Sequence, residues 1–231
     1  MEIERLQPMN RLKKRSTFLL PLLAAAAVLL PPTAFSALLT NRPAYAGVWV
    51  NVSGSPNLTP YTNFIAGVAD RQSWSDMETS QGTYNFTALD AALADALSKG
   101  YYYYFVLWTG PDAPTWIYSG TNNVPQVVTT NQAGTYPYYL NANYKRCLTN
   151  FLDKLADHLA GLPANQRSRL AFIQPGFGST GDRQLYKGKP KDPKYDISAQ
   201  QYLEFCSGAT KRFYDAFNHP ELKHIKFLFN V

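Results

Sequence analysis

Apolar residues recur at helical spacing in three stretches of the chain. Leu89, Leu93 and Leu97 follow one another every four residues, with Ala92 and Ala96 beside them. This stripe predicts a helix over 87–99, capped by Thr87 and ended by Gly100. Cys147, Leu148, Phe151, Leu152, Leu155 and Leu159 predict a second helix over 143–162. Tyr202, Phe205, Cys206, Ala209 and Phe213 predict a third over 198–218. Between and around them lie short apolar runs at 48–52, 64–71, 101–108, 170–174 and 225–231. Their length and β-branched or aromatic content mark them as strands. The run YYYYFVLW at 101–108 reads as a strand buried on both faces, its four tyrosines serving sheet packing. Gly67 weakens the strand around it.

Strand, loop and helix therefore alternate, which predicts parallel strands joined by crossover helices. The long loops, Thr109–Leu140 and Gly176–Pro193, follow strands, whereas helix-to-strand links are short. That asymmetry is the (β/α)8 barrel's, where loops at the carboxyl ends of strands carry the chemistry. A doubly wound sheet shares the alternation, but no G-x-G-x-x-G or phosphate-binding loop follows any strand. The expected fold class is α/β, an incomplete TIM (β/α)8 barrel of about the first five strands. No helix is predicted between the first and second strands. A whole barrel takes about 250 residues or more. Strands six to eight are expected to lie outside this chain, leaving it inactive alone and with an unpaired edge strand.

The first 36 residues read differently. Lys13, Lys14 and Arg15 precede the apolar run Phe18–Leu30, and Ala34-Phe35-Ser36-Ala37 is a small-x-small cleavage pattern. The run is shorter than the roughly 20 residues that span a bilayer. Residues 1–36 are thus expected to be a signal peptide cleaved near Ser36-Ala37, with 37–231 the barrel portion. The mature chain would be secreted or periplasmic, with no membrane attachment after cleavage.

Charge changes meaning once that segment is set aside. Of 22 Lys/Arg and 16 Asp/Glu, five and two fall within 1–36, so the remainder is only mildly basic. Apart from Lys187–Lys194, no Lys/Arg cluster follows, which argues against nucleic acid as a partner. An aromatic share of 14% excludes a disordered chain. Cys147 and Cys206 both fall on apolar helix stripes, so a disulfide and two buried thiols fit equally. Neither they nor the scattered His158, His219 and His224 make a metal-spacing motif, and no cofactor or zinc site is expected.

Two blocks remain. Arg71, Trp74 and Glu78 lead into Gly82-Thr83-Tyr84-Asn85-Phe86, and Phe105–Gly110 leads into Ala113-Pro114-Thr115-Trp116-Ile117. Together these resemble the early part of glycoside hydrolase family 42, the β-galactosidase type, and related retaining (β/α)8 glycosidases. The resemblance covers roughly 64–118 and weakens beyond. It implies hydrolysis of O-glycosyl bonds in an oligo- or polysaccharide by two carboxyl groups, one protonating the leaving oxygen and one attacking carbon. Gly176–Asp182 looks like the turn carrying the acid, with Asp182 where a glutamate is usual. The Asp182 side chain would fall about 1.5 Å short for proton transfer, and a turn-capping role competes. The resemblance gives Arg71 the task of holding the nucleophile ionised, against a plain surface ion pair. It gives Trp74 and Trp116 sugar-stacking faces, against core packing. Glu78 would hydrogen-bond sugar hydroxyls or anchor the Gly82 turn. The alternative function is a catalytically inactive carbohydrate-binding relative.

Overall fold

The computed structural model describes residues 45–52, 58, 63–131, 135–179 and 184–229. Among these, five strands form one sheet: β1 (Val48–Asn51), β2 (Ile65–Ser73), β5 (Tyr102–Trp108), β8 (Leu170–Gly176) and β9 (Lys226–Phe227). All neighbouring pairs are parallel, and spatial order follows chain order. A doubly wound sheet reverses its strand order at a switch point. This sheet does not, so the fold is an α/β arrangement of five successive (β/α)-barrel strands.

Three long helices make the crossovers: α2 (Thr87–Ser98), α3 (Ala142–Gly161) and α5 (Ala199–Ala216). A short α4 (Ala164–Arg167) leads into β8. The predicted helices agree with these bounds to within two residues at each end. Asn141 Oδ1 accepts the Asn143 and Tyr144 amides and starts α3. Ser198 and Gln201 form a reciprocal capping box at α5. At α2 the expected cap is corrected. Thr87 is the first helical residue, and Asn85 Oδ1 accepts its amide at 3.1 Å.

The stripes read from the sequence do face inward. Leu148, Phe151, Leu152, Leu155 and Leu159 of α3 are essentially inaccessible, as are Leu89 and Leu93 of α2. They pack on Tyr103, Phe105 and Leu107, the alternate residues of β5. Each such burial contributes about 1.5–3 kcal/mol. Cys147 is buried and Cys206 half-buried, and the two do not form a disulfide.

The other face of β5 differs from its sequence reading. Tyr102, Tyr104, Val106 and Trp108 are only half-buried, so β5 is not enclosed on both sides. The amino-terminal end of this open face holds an aromatic cluster of Tyr45, Trp49, Tyr104 and Phe172. Gly67 belongs there: the Trp49 ring lies where any β-carbon at 67 would sit. The residue that weakens a strand in isolation thus admits an indole.

Two features escaped the periodicity. A four-residue helix, α1 (Trp74–Met77), runs into a hairpin of β3 (Glu78–Ser80) and β4 (Thr83–Tyr84). A second hairpin, β6 (Gln126–Val128) with β7 (Thr135–Pro137), stands in the loop after β5. Backbone bonds from Thr130 N to Lys189 O and from Lys191 N to Val128 O, both 2.8 Å, tie β6 to the loop after β8. Among the described residues of the expected strand at 225–231, Lys226–Phe227 form β9. Residues 1–36, read as a signal peptide, and most of the link between β1 and β2 lie outside the described residues. No helix among the described residues is long and apolar enough to cross a membrane.

Candidate functional site

Side chains alternate along β2, so Gly67, Ala69, Arg71 and Ser73 share the open face with Tyr102, Tyr104, Val106 and Trp108. Arg71 and Trp108 lie at its carboxyl-terminal end. The Arg71 guanidinium carbon is 4.7 Å from the Trp108 ring centroid, a cation–π contact. Arg71 Nη1 is 3.9 Å from Asp112 Oδ2. Ser73 Oγ donates to the same carboxylate oxygen at 2.6 Å, and the Ser75 amide donates to the Asp112 carbonyl at 2.9 Å. The first turn after β5 is thereby pinned to the end of β2.

Arg71 keeps 53% of its side chain exposed. An ion pair this open contributes about 0–1 kcal/mol, so the contact orients Arg71 more than it stabilises the fold. The arrangement presents a flat apolar ring beside guanidinium donors and a carboxylate. Sugars offer complementary surfaces, an apolar C–H face and a rim of hydroxyls. Sequence reasoning named Arg71 and missed its partners Ser73, Trp108 and Asp112. Trp108 was reachable, because period-two counting from Tyr102 puts it on one face with Tyr104.

Trp74 is elsewhere. It is wholly inaccessible, stacked on Phe151 with centroids 5.3 Å apart and touched edge-on by Trp116. The ring offers no open face for a sugar, because α3 passes across it. Trp74 Nε1 donates to Glu78 Oε2 at 2.8 Å, and the Gly82 amide donates to Oε1 at 2.9 Å. Glu78 is itself 2% exposed, so the turn-anchoring role describes its geometry. Gly82, at φ +77°, supplies the left-handed residue that this hairpin needs. Trp116 is half-buried, and its Nε1 donates to the Glu78 carbonyl at 3.0 Å.

Trp116 and Glu78 do meet, in a side pocket of about 150 Å³ outside the sheet. Its walls are the β3–β4 hairpin, the loop after β5 and the first turns of α3. Asn122 bridges all three: its Nδ2 donates to Gln81 Oε1, and its Oδ1 accepts from Arg146 Nη2, both at 2.9 Å. Burial, reinforced by the Glu78 carboxylate, pushes the Tyr84 hydroxyl up to about 12. Burial likewise raises the Cys147 thiol, which keeps it protonated. The predicted site residues therefore divide. Arg71 faces the open sheet, whereas Trp74, Glu78 and Trp116 form the structure behind the β3–β4 hairpin. Asp182 lies outside the described residues. Among the described residues, no group of three or more His, Cys, Asp and Glu side chains is placed to hold a metal ion.

No protein-family model matches the chain, and no curated protein matches it. Solved structures do. A psychrophilic glycoside hydrolase family 10 endo-β-1,4-xylanase is 12% identical, covering 80% of this chain and 53% of its own, at a TM-score of 0.42. Xylanase B from Clostridium stercorarium F9 is 13% identical, covering 80% and 52%, at 0.40. A β-galactosidase from Bacillus circulans sp. alkalophilus is 14% identical, covering 78% and 28%, at 0.41. The chain spans about half the length of the two xylanases and less of the galactosidase.

Proposed function

We propose that this chain supplies the sugar-binding end of an exported retaining glycoside hydrolase of the β-galactosidase type. The observation that carries the reading is Arg71 laid against Trp108 and paired with Asp112 where β2 and β5 end. A pyranose ring resting on the open part of Trp108 would meet the Arg71 donors at its hydroxyls. The fixed positive charge of Arg71 would also keep a carboxylate beside it ionised. Asp182, which follows β8 in the sequence, would protonate the glycosidic oxygen as the bond to the anomeric carbon breaks. A second carboxylate, about 5–5.5 Å from the first in retaining enzymes, would form the covalent bond that water then hydrolyses.

A non-hydrolytic carbohydrate binder is the second reading, favoured by the short Asp182 side chain where a glutamate is usual. Hydrolysis of nitrophenyl β-galactoside and β-xyloside by the full-length gene product, measured beside binding of galacto- and xylo-oligosaccharides, separates the two. The enzyme reading expects turnover that Asp182→Asn lowers by roughly 100-fold or more, with binding retained. Turnover unaffected by Asp182→Asn removes Asp182 from the mechanism. Binding of oligosaccharides without any turnover leaves the second reading. Neither binding nor turnover overturns both.

A further inference from the structure

The side pocket between the β3–β4 hairpin and α3 has a chemistry of its own. Glu78 lines it, its carboxylate already holding the Trp74 indole N–H, the Gly82 amide and the Tyr84 hydroxyl. Such a carboxylate is fixed in place. Arg146 donates to Asn122 and to the Cys147 sulfur, and its exposed position leaves other donors toward solvent. Gln81 and Asn150 stand exposed at the edge and add amide donors and acceptors. Half-buried Trp116 supplies the apolar wall, its ring fixed through Nε1. One carboxylate and one guanidinium balance the charge of the lining, which suits a neutral ligand. A volume of about 150 Å³ equals about five waters at 30 Å³ each. That is the scale of one small ring. Because Asn122 ties three segments together, the walls exist before any ligand arrives, which lowers the ordering cost of binding.

We infer that this pocket binds a single neutral sugar ring, separately from the Arg71–Trp108 surface. The choice of a sugar over other neutral polyols rests on the carbohydrate reading above. The separateness rests on geometry alone, since the pocket lies outside the sheet and Arg71 and Trp108 face its open side.

The full chain should be titrated with galactose, xylose and glycerol, following tryptophan fluorescence and, independently, heat of binding. Saturable binding of a monosaccharide at about millimolar strength is expected. Trp116→Phe should remove most of the fluorescence response while heat is still released. The double variant Arg146→Ala, Asn150→Ala should weaken binding at least about tenfold; Arg146→Ala also removes a donor from buried Asn122 and lowers the melting temperature, whereas Asn150→Ala alone, at an exposed position, should weaken binding at an unchanged melting temperature. Arg71→Ala and Trp108→Ala should leave monosaccharide binding intact while weakening oligosaccharides. Three results overturn the inference: no saturable monosaccharide binding, binding indifferent to Arg146→Ala, Asn150→Ala, or glycerol binding as tightly as sugar. Loss of monosaccharide binding in the Arg71 and Trp108 variants also overturns it, placing the ring on the open face and sparing the proposed function. Intact pocket binding with no response of any oligosaccharide to those two variants has the opposite meaning.

Discussion

Trp49 lies directly over Gly67. A β-carbon built on Gly67 would fall 2.2 Å from Trp49 Cζ3, well inside contact distance. The neighbours of Trp49 on its other sides are Tyr104 and Phe172, with ring centroids 5.5 and 5.2 Å away, so the indole has little room to retreat. Gly67→Ala should destabilise the fold by about 1–3 kcal/mol through overpacking. Trp49→Leu should absorb most of that loss when combined with Gly67→Ala. A double-mutant cycle by denaturant unfolding measures the coupling; additive losses would mean that the ring does not occupy this position.

Glu78 holds two donors with one buried carboxylate. Glu78→Ala leaves the Trp74 indole N–H and the Gly82 amide without an acceptor and should cost roughly 2–4 kcal/mol. Glu78→Gln keeps the shape and one acceptor oxygen and should cost about half as much. Thermal melts of both variants, with near-ultraviolet circular dichroism reporting the Trp74 environment, check the order.

Asp70 gives the stability a pH dependence. Its carboxyl is pushed above its ordinary value chiefly by burial, against the opposing hydrogen bonds from Tyr103 and Gln72. The folded state therefore holds a proton that the unfolded chain releases near its usual value of about 3.9. That contribution is complete below the unfolded value and is lost as pH rises through the raised folded value. Asp70→Asn, which keeps an acceptor for the Tyr103 hydroxyl, should remove this fall and melt no lower than the native chain at pH 7. Melting temperatures from pH 3.5 to 7 test it; an unchanged slope in Asp70→Asn refutes the assignment.

Trp108 should matter to ligands more than to folding. It is only half-buried and lies on the open face. Trp108→Ala is expected to weaken oligosaccharide binding by roughly tenfold or more, with a small change in melting temperature. Arg71→Lys should not rescue Arg71→Ala, because a lysine lacks the planar group that lies along the indole. Isothermal titration on the three variants gives the comparison.

The long helices and sheet strands were legible because each carries its own pattern. Leu89 and Leu93, or Phe151 and Leu155, repeat at the spacing of a buried stripe whatever lies opposite. The α1 helix and the β3–β4 hairpin were not, since four and three residues are too few to show a period. The burial of Trp74 depends on Phe151, far along the chain in α3, and no local rule reports that. Likewise a run such as YYYYFVLW looks alike whether its second face is covered or half-open. Arg71 was found through the resemblance of the block that runs from it to Glu78, whereas Asp112 became its partner only through the fold of the intervening chain. Sequence grouped Trp74, Trp116 and Arg71 by resemblance; the sheet puts them on different sides because Arg71 points out of β2 while Trp74 begins the turn away from it.

The backbone bonds between Val128–Thr130 and Lys189–Lys191 couple two loops that grow from adjacent staves. Neither can be lengthened or redesigned in isolation, since the other would lose its mooring. Selection for a new specificity in this scaffold would then have to proceed by paired changes across that seam, and a graft that swaps one loop alone should express poorly.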